Sequence, residues 1–259
     1  MNRKRRKIII NVVEIIAVVL LLGPVYRFLC GIGLEKVYDE KGISVYVDDA
    51  KYADEARRLI DTLTVQLKAV DADYAAKSSV YFCRTLTEFK IKALSLGKPI
   101  ANTRPHLGTT FFRPCDWSKG IAEPRKPQLL ARRLSAVLLH EILHHYEYDK
   151  LGFIQYGLKA YKESWKMEGF CDYFAGSSSF PIDKGLRIYL GDDSYEYVTS
   201  NEIEPEYFYF VSRLRTDYLL GYKKVSADDY WSTGYDENQL DEEIRTALKE
   251  KKYIFEEKK

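Results

Sequence analysis

Histidine is scarce in this chain: His106, His140, His144 and His145 are the four, and none lies beyond position 145. Any chemistry that needs an imidazole must use that early set or take another side chain from the second half. Cysteine is as sparse, and Cys30, Cys83, Cys115 and Cys171 make no C-x-x-C pair and no zinc-ribbon spacing. An excess of one charge is missing too. Forty Lys and Arg against 38 Asp and Glu leave +2, so composition gives no argument for a nucleic acid partner, which would want a basic face. No internal repeat or low-complexity linker divides the 259 residues, a length that suits one large domain or two small ones. Tyrosine, by contrast, is plentiful at 21, which reads as half-buried packing with wet hydroxyl ends.

The basic residues are unevenly placed. Residues 1–7 hold five of them and no acid, and an apolar run from Ile8 to Leu22, broken by Asn11 and Glu14, follows directly. Continued to Tyr26, the run is long enough to cross a bilayer, which takes about 17–25 residues. No small-x-small cleavage site follows, so 8–29 reads as a retained transmembrane signal anchor. The positive-inside rule then makes 1–7 a cytoplasmic tail and places the body outside the cytoplasm, as a single-pass membrane protein held by its N-terminal helix. In that compartment Cys83 and Cys115 are free to pair, with free buried thiols the equal alternative.

Past the anchor, Val37-Tyr38, a turn at Asp39–Gly42 and Ile43–Val47 alternate as a short hairpin. Ala56, Leu59, Ile60, Leu63, Leu67 and Val70 follow at helical spacing, the pattern of a helix laid on a sheet. Val80–Cys83 is a strand candidate, and Thr85-x-x-Glu88 a capping box that opens a short helix through Leu94 or Leu96. The stretch 100–105 reads as irregular, Thr109–Phe112 as a strand near a sheet edge because Arg113-Pro114 stops it, and 116–127 as loop. From Gln128 the sequence is apolar nearly all round to about Gly152, a buried helix with Arg132 and Arg133 at its exposed entrance. Helices over Ser164–Ala175 and Pro205–Leu220 follow, and a last one carries Leu240, Ile244 and Leu248 before a charged, frayed tail. The expected fold class is α+β: the N-terminal transmembrane helix, a small mixed sheet with helices over 35–127, then a mostly helical half over 128–252.

The long buried helix carries His140-Glu141-Ile142-Leu143-His144 at the junction of those halves. Residues four apart on a helix share a face, so both imidazoles can reach one zinc ion, with Glu141 placed to take a proton from water. A buried helix avoids two histidines and a glutamate on one face unless they are satisfied. Zinc needs a third protein ligand. Glu147 and Lys150 stand where a metzincin would place glycine and its third histidine, so that branch is excluded. A carboxylate from the next helix fits instead: Glu168 and Asp172 are four apart, and Gly169 lets two helices approach closely.

With these residues the chain resembles the gluzincin group of zinc metallopeptidases, the thermolysin-like clan, over roughly 128–176. Their pattern is H-E-x-x-H followed on a second helix by Glu-x-x-x-Asp. The resemblance implies a zincin-like, peptidase MA-like domain over 35–252, binding one Zn2+ per chain and hydrolysing peptide bonds of a peptide or protein substrate. It implies His140, His144 and Glu168 as metal ligands, Glu141 as general base, and Asp172 as the partner that orients a ligand histidine. The spacing from His144 to Glu168 is longer than in thermolysin itself, so the likeness is to the clan.

In that group the substrate lies as an added strand along a sheet edge beside the metal, which designates Thr109, Thr110 and Phe111 as substrate-binding. A downstream His or Tyr stabilises the oxyanion there. Only tyrosine is available here, with Tyr207 chosen from Tyr195, Tyr197, Tyr207 and Tyr209. His145, turned about 100° from His144 on the helix, is expected to be structural, and His106 a loop residue. The alternative function is a catalytically inactive zincin-like domain that binds a protein or peptide partner. Glu141, which a purely structural zinc site would not require, favours catalysis.

Overall fold

The structure, a computed structural model, describes residues 23–256 with the exception of Leu96 and Lys98. The expected cytoplasmic tail over 1–7 and most of the expected anchor over 8–29 lie outside the described residues. Residues 23–31, which hold the described end of that anchor, are helical and lie on the sheet: Tyr26 meets Phe111 edge-on at 6.2 Å, its hydroxyl donates to Lys92 O, and Cys30 is buried. Among the described residues no helix is long and apolar enough to cross a membrane, and the expected single-pass placement is corrected on that finding. An apolar run reads alike in sequence whether its apolar side meets lipid or protein.

A five-stranded mixed sheet forms the first half, in the order β1-β2-β3-β5-β4. Its strands are β1 (Glu35–Glu40), β2 (Ile43–Val47), β3 (Ser78–Phe82), β4 (Ala101–Arg104) and β5 (Thr109–Phe112). β1 and β4 pair antiparallel with their neighbours, whereas β2, β3 and β5 run parallel. Side chains alternate across the pleat. Val45, Val47, Val80, Phe82 and Phe112 face the Ala53–Val70 helix and the motif helix, while Tyr81 and Phe111 pack beneath residues 23–31 and the Leu86–Lys92 helix.

Two expectations change here. β4 occupies residues read as irregular, and it is the outer strand; Thr109–Phe112, expected near the edge, lies one strand further in. Thr109, Thr110 and Phe111 are fully buried, and their backbone is paired on both sides. The four residues of β4 carry no apolar alternation of their own, so only pairing with β5 makes them a strand.

The local readings of helices survive better. Ala56, Leu59, Ile60, Leu63 and Leu67 are the buried stripe of the Ala53–Val70 helix, and burying each large one contributes about 1.5–3 kcal/mol. Thr85 caps its helix by accepting from Glu88 N at 3.0 Å. The motif helix spans Leu134–Lys162, six residues later than its apolar run begins. Arg132–Arg133 instead form β7, paired with β6 (Ile121–Ala122), and Arg132 is buried where an exposed entrance was expected. At Gly152 the regular helix breaks (φ 72°, ψ 164°), a backbone state open essentially to glycine alone, and resumes to Lys162.

Helices Ser164–Ala175, Ile182–Leu190, Glu196–Ser200, Glu204–Thr216, Ala227–Ser232 and Glu237–Lys249 complete the second half. The tail is not frayed over its described length. Tyr253 and Phe255 are buried, the former donating to Asp217 Oδ2 at 2.7 Å and the latter edge-on to Phe210. One connected cluster of buried residues runs from Tyr38 to Phe255, through sheet and helices alike. All four cysteines are free thiols.

Candidate metal centre

The motif helix is apolar on nearly every side because the sheet and the neighbouring helices surround it. His140 and His144 leave it from one face, with ring centroids 5.0 Å apart. Glu168 comes from the Ser164–Ala175 helix, whose position depends on Gly169. A Cβ there would collide with the Ser212 carbonyl and the Thr216 hydroxyl of the Glu204–Thr216 helix. The expected close approach of two helices is therefore present.

Glu168 Oε2 lies 3.2 Å from His140 Nε2 and 3.5 Å from His144 Nε2. Ligand atoms about 2.0–2.2 Å from a tetrahedral zinc ion stand about 3.3–3.6 Å from one another, so the two separations suit a common ion. The Nδ1 atoms are held on the opposite side of each ring: His140 by Asp172 Oδ1 at 2.8 Å, His144 by Glu147 Oε2 at 2.9 Å. An Nδ1–H donated to a carboxylate leaves the Nε2 lone pair free and makes it more basic, which is how ligand histidines are held. Asp172 is itself fixed by Arg132 Nη2 at 2.8 Å, and Glu147 accepts from the Cys171 thiol at 3.5 Å. The donor set, two neutral imidazoles and a carboxylate with their second ring nitrogens engaged, fits a divalent ion of the zinc class.

Electrostatics describe the same cluster without an ion. Burial would depress His140, but the Asp172 carboxylate and Glu168 outweigh it and raise its pKa to about 9. Burial would raise Glu168, yet the His144 and His140 imidazoles hold it well below the usual carboxylate range. Asp172 is likewise pushed up by burial and brought below its ordinary value by Arg132 and His140. Glu147, fully enclosed, is raised by burial despite its bond to His144. In the ion-free protein the imidazoles carry protons that a cation can replace.

Glu141 lies in the same cleft, of about 230 Å³, whose walls include Asn102 and Thr103 of β4, Tyr156, Met167 and Tyr209. Thr103 Oγ1 donates to Glu141 Oε2 at 2.6 Å and sits 3.2 Å from Thr110 Oγ1, which in turn meets His145 Nε2 at 3.1 Å. His145 also meets Ser78 Oγ at 3.2 Å, and burial pushes its pKa down to about 3. It is a buried polar anchor between helix and sheet, as its direction on the helix suggested.

Of the sequence-designated residues, the structure brings together His140, Glu141, His144, Glu168 and Asp172. It does not bring Thr109, Thr110 or Phe111 to the free edge. Tyr207 is elsewhere too, packed on Phe180 at 5.3 Å and Tyr195 at 5.5 Å. Tyr209 is the member of that set beside the centre, its ring 6.4 Å from that of His140. Glu168 and burial push its hydroxyl pKa far up, so it remains protonated.

Sequence reasoning missed four contributors. Glu147 had a signal, since it lies three residues after His144 on the same helix. Tyr156, beyond the Gly152 break, and Asn102 and Thr103, on an unrecognised strand, had none. No protein-family model matches the chain, and no curated protein matches it.

Proposed function

We propose that this chain is a zinc-dependent metallopeptidase of the gluzincin kind, hydrolysing peptide bonds with Glu141 as general base. The observation that carries the reading is one arrangement. Two Nε2 atoms and the Glu168 carboxylate converge within 3.2 and 3.5 Å, with Glu141 in the same cleft beside an outer β-strand. His140, His144 and Glu168 would hold the ion, and Asp172 and Glu147 keep both imidazoles in the ligating tautomer. A bound zinc supplies Lewis acidity and makes water acidic enough to lose a proton near neutral pH.

The chain's own groups supply the rest. Thr103 holds one oxygen of Glu141, which fixes where the carboxylate receives the proton of the attacking water and returns it to the leaving amine. Ile100 O accepts from Arg113 N at 3.2 Å, which extends the β4–β5 ladder. Antiparallel alternation then turns the peptide groups of Ala101 and Thr103 outward, where an extended substrate can pair. Tyr209 and Tyr156 line the cleft, both held protonated, and their hydroxyls are the candidates to donate to the carbonyl oxygen as it gains charge.

The test is metal content joined to turnover. Purified protein should carry one zinc per chain; Glu141→Gln should keep it and lose at least about a hundredfold in kcat, while Glu168→Ala should lose the metal. Wild-type protein without zinc sinks the reading. Zinc bound with a broad peptide library left uncut favours instead a domain that binds a partner through the same cleft.

A further inference from the structure

We infer that a second cavity beside Glu141 is a specificity pocket for a short substrate side chain that ends in a carbonyl or carboxylate oxygen. This deepens the hydrolase reading and rests on it. The cavity, about 80 Å³, adjoins the main cleft and shares Pro99, Ala101, His140, Glu141 and Tyr209 with it. A peptide paired along β4 therefore passes its mouth. At about 10–15 Å³ per water on this measure, the space takes roughly six heavy atoms. The side chain of Asp or Asn enters with space to spare, whereas the Trp ring system does not.

The cavity's remaining lining is apolar at Ile100 and Val137 and polar at Arg125, Arg132, Ser179 and Glu206. Arg132, more than nine-tenths buried, donates from Nε to Ser177 Oγ and from Nη2 to Asp172 Oδ1 and the Ser177 carbonyl. Arg125 donates from Nε and Nη2 to Glu206 and from Nη2 to the Glu202 carbonyl. Neither Nη1 meets an acceptor among the described residues, and neither does the hydroxyl of Ser179 or Tyr209. A guanidinium has five donors and no acceptor, so the uncommitted groups of this cavity are mostly donors. A ligand oxygen entering the cavity can accept from these donors in place of water.

Charge does not choose between Asp and Asn. Each arginine is already matched by a carboxylate, Glu206 or Asp172, and Glu141 stands at the mouth. Apolar side chains of suitable size, Leu for one, would leave every donor unmet.

The experiment uses the zinc-loaded full chain and matched peptides in which the residues flanking the scissile bond are varied among Asp, Asn, Ala, Leu and Phe. At one flanking position Asp or Asn should exceed Leu and Phe in kcat/KM by at least about tenfold. Asp ahead of Asn assigns the carboxylate, and Asn ahead of Asp the carboxamide. Arg125→Met should bring the ratio to Leu close to one. Should that variant not fold, Ser179→Leu, which fills the cavity, should do the same. Leu or Phe cut as readily as both polar residues overturns the pocket while leaving the hydrolase reading intact. If zinc is bound and nothing is cut, the hydrolase reading fails. The pocket is then judged by calorimetry with the amides of N-acetyl-aspartate, N-acetyl-asparagine and N-acetyl-leucine, and equal binding of all three overturns it.

Discussion

Each candidate ligand histidine depends on a residue that never touches the ion. Asp172 and Glu147 bind the two Nδ1 atoms from different directions, one from the neighbouring helix and one from the same helix three residues on. Asp172→Asn and Glu147→Gln should each weaken zinc binding about 10–100-fold, read by competition with a chromophoric chelator. Unchanged affinity in both would remove them from the site.

The protonation of the ion-free cluster gives a second prediction at this scale. The His140 pKa rises from 6.5 to about 9, so its contribution to stability is fully present below pH 6.5 and is lost as pH climbs through about 9. The loss is on the order of 3 kcal/mol, from about 1.4 per pKa unit. Asp172 has the opposite sign, its contribution present above its ordinary 3.8 and lost as pH falls. Urea midpoints with chelator present should fall between pH 6.5 and 9, and saturating zinc, which replaces the proton, should abolish that fall. A chelated protein equally stable at both ends would contradict the assigned proton.

Among the elements, two decide the site. The Ser164–Ala175 helix delivers Glu168 because Gly169 allows it to lie against Ser212 and Thr216. Gly169→Ala should cost about 1–3 kcal/mol or more and, by pushing the helix outward, reduce zinc affinity alongside the thermal midpoint. A variant with native stability and native affinity would show that this contact does not position Glu168. The other element is β4. It shows no apolar alternation over Ala101–Arg104, so periodicity does not reveal it, and the proline that follows Thr109–Phe112 marks that strand, in sequence, as the edge. Strand order follows from which strand covers which, and that is a contact between residues far apart in sequence.

Over the whole molecule, sheet, motif helix and tail share one core. Phe255 sits on Phe210, and Tyr253 reaches Asp217, so the chain's end locks the helix that meets Gly169. Phe255→Ala should destabilise by about 3–5 kcal/mol in chemical unfolding, with one transition lost for sheet and helices together. A change below about 1 kcal/mol would return the tail to the frayed state its charge suggested.

Sequence alone determined what lies within one element. The stripe of the Ala53–Val70 helix, the Thr85 cap, the shared face of His140 and His144, and the four-residue step from Glu168 to Asp172 follow from backbone period. Tertiary structure decided what depends on how elements meet. It set Glu168 against both Nε2 atoms, put Tyr209 instead of Tyr207 at the cleft, made β4 the outer strand, and buried Arg132 behind Asp172. It also laid residues 23–31 on the sheet. The reason is range: helical and strand periods are fixed by neighbours along the backbone, whereas strand order and side-chain convergence are set by packing between segments tens of residues apart.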